Sequence, residues 1–116
     1  MQLVRDSSSS TDITLYNLGP VHNIPMGEGR TYRVEGAAIA VFRTRDGNLF
    51  ATQAACSHKG GPLSDGIVGG CQVICPLHSY KFDLATGASV GNTCESLKTY
   101  SVTLSDAGDI LLSLDQ

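Results

Sequence analysis

The chain has 116 residues, 41% of them hydrophobic, and carries a net charge of −3. That length suits one compact domain and is short for two, and the acidic balance leaves no basic footprint for nucleic acid or an anionic membrane surface. No apolar run reaches half the length that a bilayer crossing requires.

Residues 1–11 hold four consecutive serines, Ser7 to Ser10, and are expected to be a flexible tail ahead of a single domain over 12–116. The opening MQLVRDSSSSTD has neither an apolar core nor a twin arginine. No export signal is therefore expected, and a cytoplasmic setting is the default. From Ile13 onward the pattern predicts short strands punctuated by turns. ITLYNL (13–18) alternates and stops at Gly19-Pro20, and RTYRV (30–34) follows the loop PMGEG. AAIAVFRT (37–44) is the longest apolar run and is expected as an internal strand, closed by a hairpin turn at Arg45-Asp46-Gly47-Asn48.

LFATQA (49–54) runs directly toward Cys56. CQVIC (71–75) and YKFDL (80–84) follow, with a turn at Ala85-Thr86-Gly87. KTYSVTL (98–104) alternates, which predicts Tyr100, Val102 and Leu104 on one face, and Ser105 to Gly108 turn the chain into DILLSL (109–114). No window of helical length shows apolar residues at three-and-four spacing. The expected class is all-β, an antiparallel sandwich or barrel of about nine short strands.

One segment interrupts this pattern. CSHKGGPLSDGIVGGCQVICPLH (56–78) holds three of the four cysteines and two of the three histidines. Cys56 and His58 are two apart on extended chain, so their side chains share a face. Cys75 and His78 are three apart across Pro76-Leu77, a spacing for a tight turn. The sixteen residues between His58 and Cys75 allow the two pairs to meet as the tips of two loops. Glycines 60, 61, 66, 69 and 70 permit unusual backbone angles there and turn N–H groups toward a negatively charged object.

Two metals suit such a set. Zinc would form a structural tetrahedron and make the chain a zinc-stabilised interaction module. A [2Fe–2S] cluster would take both cysteines on one iron and both histidines on the other. The mixed Cys/His pairing within each half and the supply of N–H donors for bridging sulfides favour the cluster. Cys71 and Cys94 have no histidine at ligand spacing and are read as small structural fillers. His22 stands alone as a surface or capping residue. The glycine run lacks the Lys-Ser/Thr of a phosphate loop, and no G-x-G-x-x-G follows a strand, so this chain shows no sign of its own nucleotide site.

C-x-H, sixteen residues, then C-x-x-H, with GGPL after the first pair, CPLH as the second and F-D-L-x-T-G beyond, resembles the Rieske iron–sulfur family. Across VFRTRDG, CSHKGGPLSDGIVGG, KFDLATG and LKTYSV the chain is most similar to the cluster-bearing small subunit of assimilatory NAD(P)H nitrite reductases. The Rieske ferredoxins of ring-hydroxylating dioxygenases are close behind. The resemblance implies a β base with a smaller cluster-binding lobe over about 54–84, and one [2Fe–2S] cluster held by Cys56, His58, Cys75 and His78. It implies one-electron transfer, with catalysis left to a partner. That partner is a larger flavin- or metal-containing oxidoreductase subunit, or a reductase and oxygenase pair.

Two cysteines and two histidines leave the oxidised cluster formally neutral, whereas four cysteines leave it doubly negative, so the histidine version is easier to reduce. High-potential relatives in respiratory complexes add a disulfide between the loops and two hydroxyl donors. The matching positions here are Gly61 and Leu77 for the disulfide, and Tyr80 and Phe82 for the hydroxyls. A low-potential centre is therefore implied. Pro62, Leu63 and Leu77 are expected to form a small apolar docking rim beside His58 and His78.

Overall fold

In the computed structural model the fold is described over residues 2–5, 14–55, 62–76, 80–91 and 95–114. Eleven strands occur in this range: β1 (Gln2–Arg5), β2 (Thr14–Pro20), β3 (Glu28–Val34), β4 (Ala37–Arg43), β5 (Leu49–Gln53), β6 (Ile67–Gly69), β7 (Gln72–Ile74), β8 (Lys81–Asp83), β9 (Ser89–Val90), β10 (Thr99–Leu104) and β11 (Asp109–Ser113). Single 3₁₀ turns lie at Val21–Asn23 and Leu63–Asp65. All strand pairs are antiparallel. They form a curled seven-stranded sheet in the order β1-β2-β11-β10-β5-β4-β3 and a smaller sheet in the order β6-β7-β8-β9.

The expected strands are present, with three additions. β6 and β9 are only three and two residues long, too short for an alternation to register. The third corrects the expected tail over 1–11. Gln2–Arg5 pairs with β2, Val4 opposite Leu15 and Leu3 opposite Tyr16, because the open edge of β2 offers unpaired backbone groups to any extended segment that reaches it. Serines 7–10 lie outside the described residues.

β4 explains how one short chain builds two cores. Ile39, Ala40, Val41 and Phe42 are all fully buried. By alternation, Ile39 and Val41 enter one cluster with Leu18, Ile24, Val34, Ala51, Ile110 and Leu112, while Ala40 and Phe42 enter another with Leu63, Val73, Phe82, Leu84 and Leu97. The first cluster fills the large sheet. The second joins that sheet to the small one. An apolar run without polar alternation is what a strand covered on both faces requires.

The turns follow their residues. β3 and β4 meet through Glu35-Gly36, both at positive φ (51° and 82°), as a tight two-residue hairpin demands. The expected turn at 45–48 is closed by Thr44, whose N–H donates to the Asn48 carbonyl at 2.9 Å and whose hydroxyl donates to the Asp46 carboxylate. On β10, Tyr100 and Val102 pack on the first core as expected. Leu104, the last residue of β10, does not, and is 48% exposed although it pairs with Ile110.

Candidate metal centre

The first loop of the predicted site is fixed at both ends. β5 leads into Ala54, whose N–H donates to the Ala38 carbonyl at 3.1 Å, and Ala55 bridges to Pro62. The Leu63 N–H then donates to the Ala54 carbonyl at 2.9 Å. Residues 56–61 are thereby bracketed between two paired strands of backbone. The 3₁₀ turn that follows is held on β3, where the Thr31 and Ser64 hydroxyls are hydrogen-bonded at 2.7 Å.

The second loop is the connection between β7 and β8. Cys75 follows β7 directly, and its N–H donates to the Tyr80 carbonyl at 2.7 Å, which ties the two sides of the connection together at its base. β8 is fixed in turn by the Asp83 turn. The Asp83 carboxylate accepts from the Ala85 and Thr86 N–H groups at 2.8 and 3.1 Å, and the Gly87 N–H donates to the Asp83 carbonyl. An aspartate at the start of such a turn holds two N–H groups that no strand partner reaches.

Both loop bases are walls of one cluster. Leu63 and Cys75 are buried members of it, at 0% and 2% exposure, and Ala54 and Tyr80 pack against it from the two arms. The structure thus brings the roots of the two arms together in one apolar cluster, with Cys75 at the root of the second. Cys56, His58 and His78 lie outside the described residues. Among the described residues no group of three metal-ligating side chains occurs.

Three expectations are corrected. Leu63 is fully buried against the second core, so it is no part of a docking rim; the 3₁₀ turn directs it inward and leaves Pro62 exposed. Leu77 lies outside the described residues. Cys71 is no buried filler: it is exposed, in the turn after Gly70, because the turn from β6 to β7 lies at the free end of the small sheet. Cys94 lies outside the described residues. Gly66 is glycine for room and not for angle. Its φ of −74° is open to any residue, yet a Cβ there would stand 2.3 Å from the Ile74 carbonyl oxygen. Of the other loop glycines, Gly70 alone among the described ones adopts positive φ, at 58°.

Gln53 went unnoticed in the sequence. It ends β5, and its carboxamide accepts from the Lys98 N–H at 2.7 Å while donating to the Ala55 carbonyl at 2.8 Å. The available signal was a lone amide closing an apolar strand three residues ahead of a predicted ligand.

These features fit an iron–sulfur cluster. Cys75 is a soft donor at the root of one arm, outside any disulfide and set in an apolar shell, the combination that tunes a cluster's potential by excluding water. Phe82 is wholly buried and brings no hydroxyl, as the resemblance implied.

Comparison with known proteins agrees. The family profile of the Rieske [2Fe–2S] domain matches residues 14–101. The chain is 33% identical over 85 residues to the ferredoxin component of a naphthalene 1,2-dioxygenase system from Pseudomonas aeruginosa, covering 72% of this chain and 81% of that one. A crystal structure described as the small subunit of an NADH-dependent nitrite reductase from Mycobacterium tuberculosis superposes with a TM-score of 0.81 at 22% identity, covering 88% of this chain and 96% of that one. Another, described as the small subunit of an NADPH nitrite reductase, gives 0.78 at 27% identity over 86% and 98% of the two chains. The chain therefore belongs to the Rieske [2Fe–2S] domain family, as an all-β electron-transfer domain carrying one [2Fe–2S] cluster.

Proposed function

We propose that this chain is the ferredoxin component of a ring-hydroxylating dioxygenase system. It takes one electron from a flavin reductase that oxidises NAD(P)H and delivers it to a larger oxygenase. Cys56, His58, Cys75 and His78 are the ligands in this reading. The bound cluster supplies a site that gains and loses one electron. The protein's residues supply the two paired loop bases and the apolar shell beneath them. The observation that carries the reading is the burial of Cys75 at the meeting point of two loop bases, each closed by backbone hydrogen bonds. Such a frame holds a ligand set still through a change of charge, which keeps the reorganisation that accompanies electron transfer small.

The choice of partner is supported by the naphthalene dioxygenase ferredoxin, which this chain matches over four-fifths of that protein's length. A second reading, the small subunit of a nitrite reductase, is supported by the structural likeness at 27% identity over nearly all of that subunit. A cytoplasmic setting accords with both. In either case the redox catalysis belongs to the partner.

The two readings separate in one assay. Loaded protein is reduced by NADH and an NADH-oxidising flavin reductase, then mixed with an oxygenase or with a nitrite reductase large subunit from the same source. The ferredoxin reading expects oxygenated aromatic product that scales with added chain. Nitrite-dependent reoxidation, with no turnover of the oxygenase, would overturn it in favour of the second reading.

A further inference from the structure

Gln53 sits where the large sheet gives way to the first loop. Its backbone N–H donates to the Lys98 carbonyl at 2.8 Å, the ladder bond expected one step beyond the pairing of Thr52 with Thr99. The reciprocal ladder bond would run from the Lys98 N–H to the Gln53 carbonyl. The Lys98 N–H goes instead to the Gln53 side-chain oxygen, at 2.7 Å. The side chain replaces the main chain in the last rung, so β5 parts from the β10 strand without orphaning the Lys98 donor. The same carboxamide then donates to the Ala55 carbonyl at 2.8 Å. Only one orientation of the amide serves an N–H on one side and a carbonyl on the other.

We propose that Gln53 is a positioning residue for the cluster: it fixes the peptide group that leads into Cys56 and couples it to the segment before β10. The proposal rests on the reading of Cys56 and His58 as ligands. The Ala55 carbonyl belongs to the peptide bond with Cys56, so its direction sets the direction in which the first ligand loop departs. Bonding to Gln53 favours one orientation of that carbonyl. The far end of the coupling is itself anchored. Leu97 is buried in the second core, its N–H donates to the Gly87 carbonyl at 2.7 Å, and Gly87 closes the turn after β8, the strand that returns from the Cys75 loop. One side chain thereby connects the root of the first arm with the frame of the second.

The task is specific to glutamine. Glutamate keeps the acceptor for Lys98 and loses the donor for Ala55. Methionine keeps the length and loses both. Asparagine is one methylene too short to span the pair.

The test uses the loaded wild-type chain with Gln53→Glu and Gln53→Met. Three quantities are read: the EPR signal of the dithionite-reduced protein, the rate of loss of visible cluster absorbance in chelator, and the far-UV circular dichroism melt. Each lost hydrogen bond predicts cluster loss roughly three- to tenfold faster. The g-values should shift or broaden in both variants, including Gln53→Glu, which retains the Lys98 bond. A variant with the wild-type signal and bleaching rate would overturn the proposal, and so would one whose only change is a lower melting temperature. Should Gln53→Met fail to fold, Gln53→Glu decides. A wild-type chain without a Rieske signal would instead overturn the ligand reading and this proposal with it, so the two failures are distinguishable.

Discussion

Replacing Gly66 with alanine probes the frame of the site without touching a ligand. The glycine caps the 3₁₀ turn after the first loop, and a Cβ built there meets the Ile74 carbonyl oxygen at 2.3 Å and the Leu63 carbonyl oxygen and Val73 Cγ2 at 3.1 Å. Ordinary contact begins at 3.4 Å, so the Ile74 peptide must retreat by about 1 Å. None of the three groups is the end of a long, flexible side chain. Two of the three are backbone carbonyls, and Val73 is fully buried. Overpacking of this kind costs about 1–3 kcal/mol, which for a domain of this size lowers the melting temperature by roughly 4–8 °C per kcal/mol.

The displaced peptide joins Ile74 to Cys75, so the strain falls on a proposed ligand. Gly69→Ala, at the end of β6 where an added Cβ would meet nothing within 4 Å, is the matched control. Thermal melts followed in parallel at far-UV and cluster wavelengths should show Gly66→Ala losing its cluster well below the control. Equal melts for the two variants would refute the steric argument.

Other expectations follow from the same structure. Leu63→Ala should cost about 2–5 kcal/mol, as deletion of a fully buried leucine does, and urea denaturation would register it; a near-neutral result would mean the side chain is not in the core. Asp46 has its pKa lowered chiefly by the Thr44 hydroxyl bond. The stability it contributes is present above the ordinary value of 3.8 and is lost as pH falls through the lower folded value. Asp46→Asn should therefore flatten the acid limb of a melting-temperature profile, and an unchanged limb would contradict that. With Phe82 buried and lacking a hydroxyl, the cluster's midpoint should fall in the lower part of the roughly −150 to +300 mV Rieske range; a redox titration above about +100 mV would contradict it.

Much of the fold was legible because its signals are local. The run AAIAVFRT announces a strand buried on both faces, and Asp46-Gly47 and Ser105 to Gly108 are turns by composition. Less legible was what depends on non-local partners. Leu63 looks like surface in a glycine-rich loop until Phe42 and Val73 are placed around it. Gly66 looks like a hinge until the Ile74 carbonyl is placed against it. Gln53 is an ordinary strand-end amide until Lys98 arrives from forty-five residues away. The ligand spacing was the clearest sequence feature of all, since C-x-H and C-x-x-H carry their chemistry in their intervals. The frame at the base of the proposed ligand loops is spread over β4, β5, β8 and the segment before β10, and no interval in the sequence marks it.

The central claim is that Cys56, His58, Cys75 and His78 hold a Rieske cluster. The most direct test is an EPR spectrum of anaerobically purified, dithionite-reduced protein, paired with iron, sulfide and zinc analysis of the same sample. The account predicts a rhombic signal with the low average g of a histidine-ligated cluster and about two irons and two sulfides per chain. One tightly bound zinc per chain with no signal would contradict it and make this domain a structural module without a redox role.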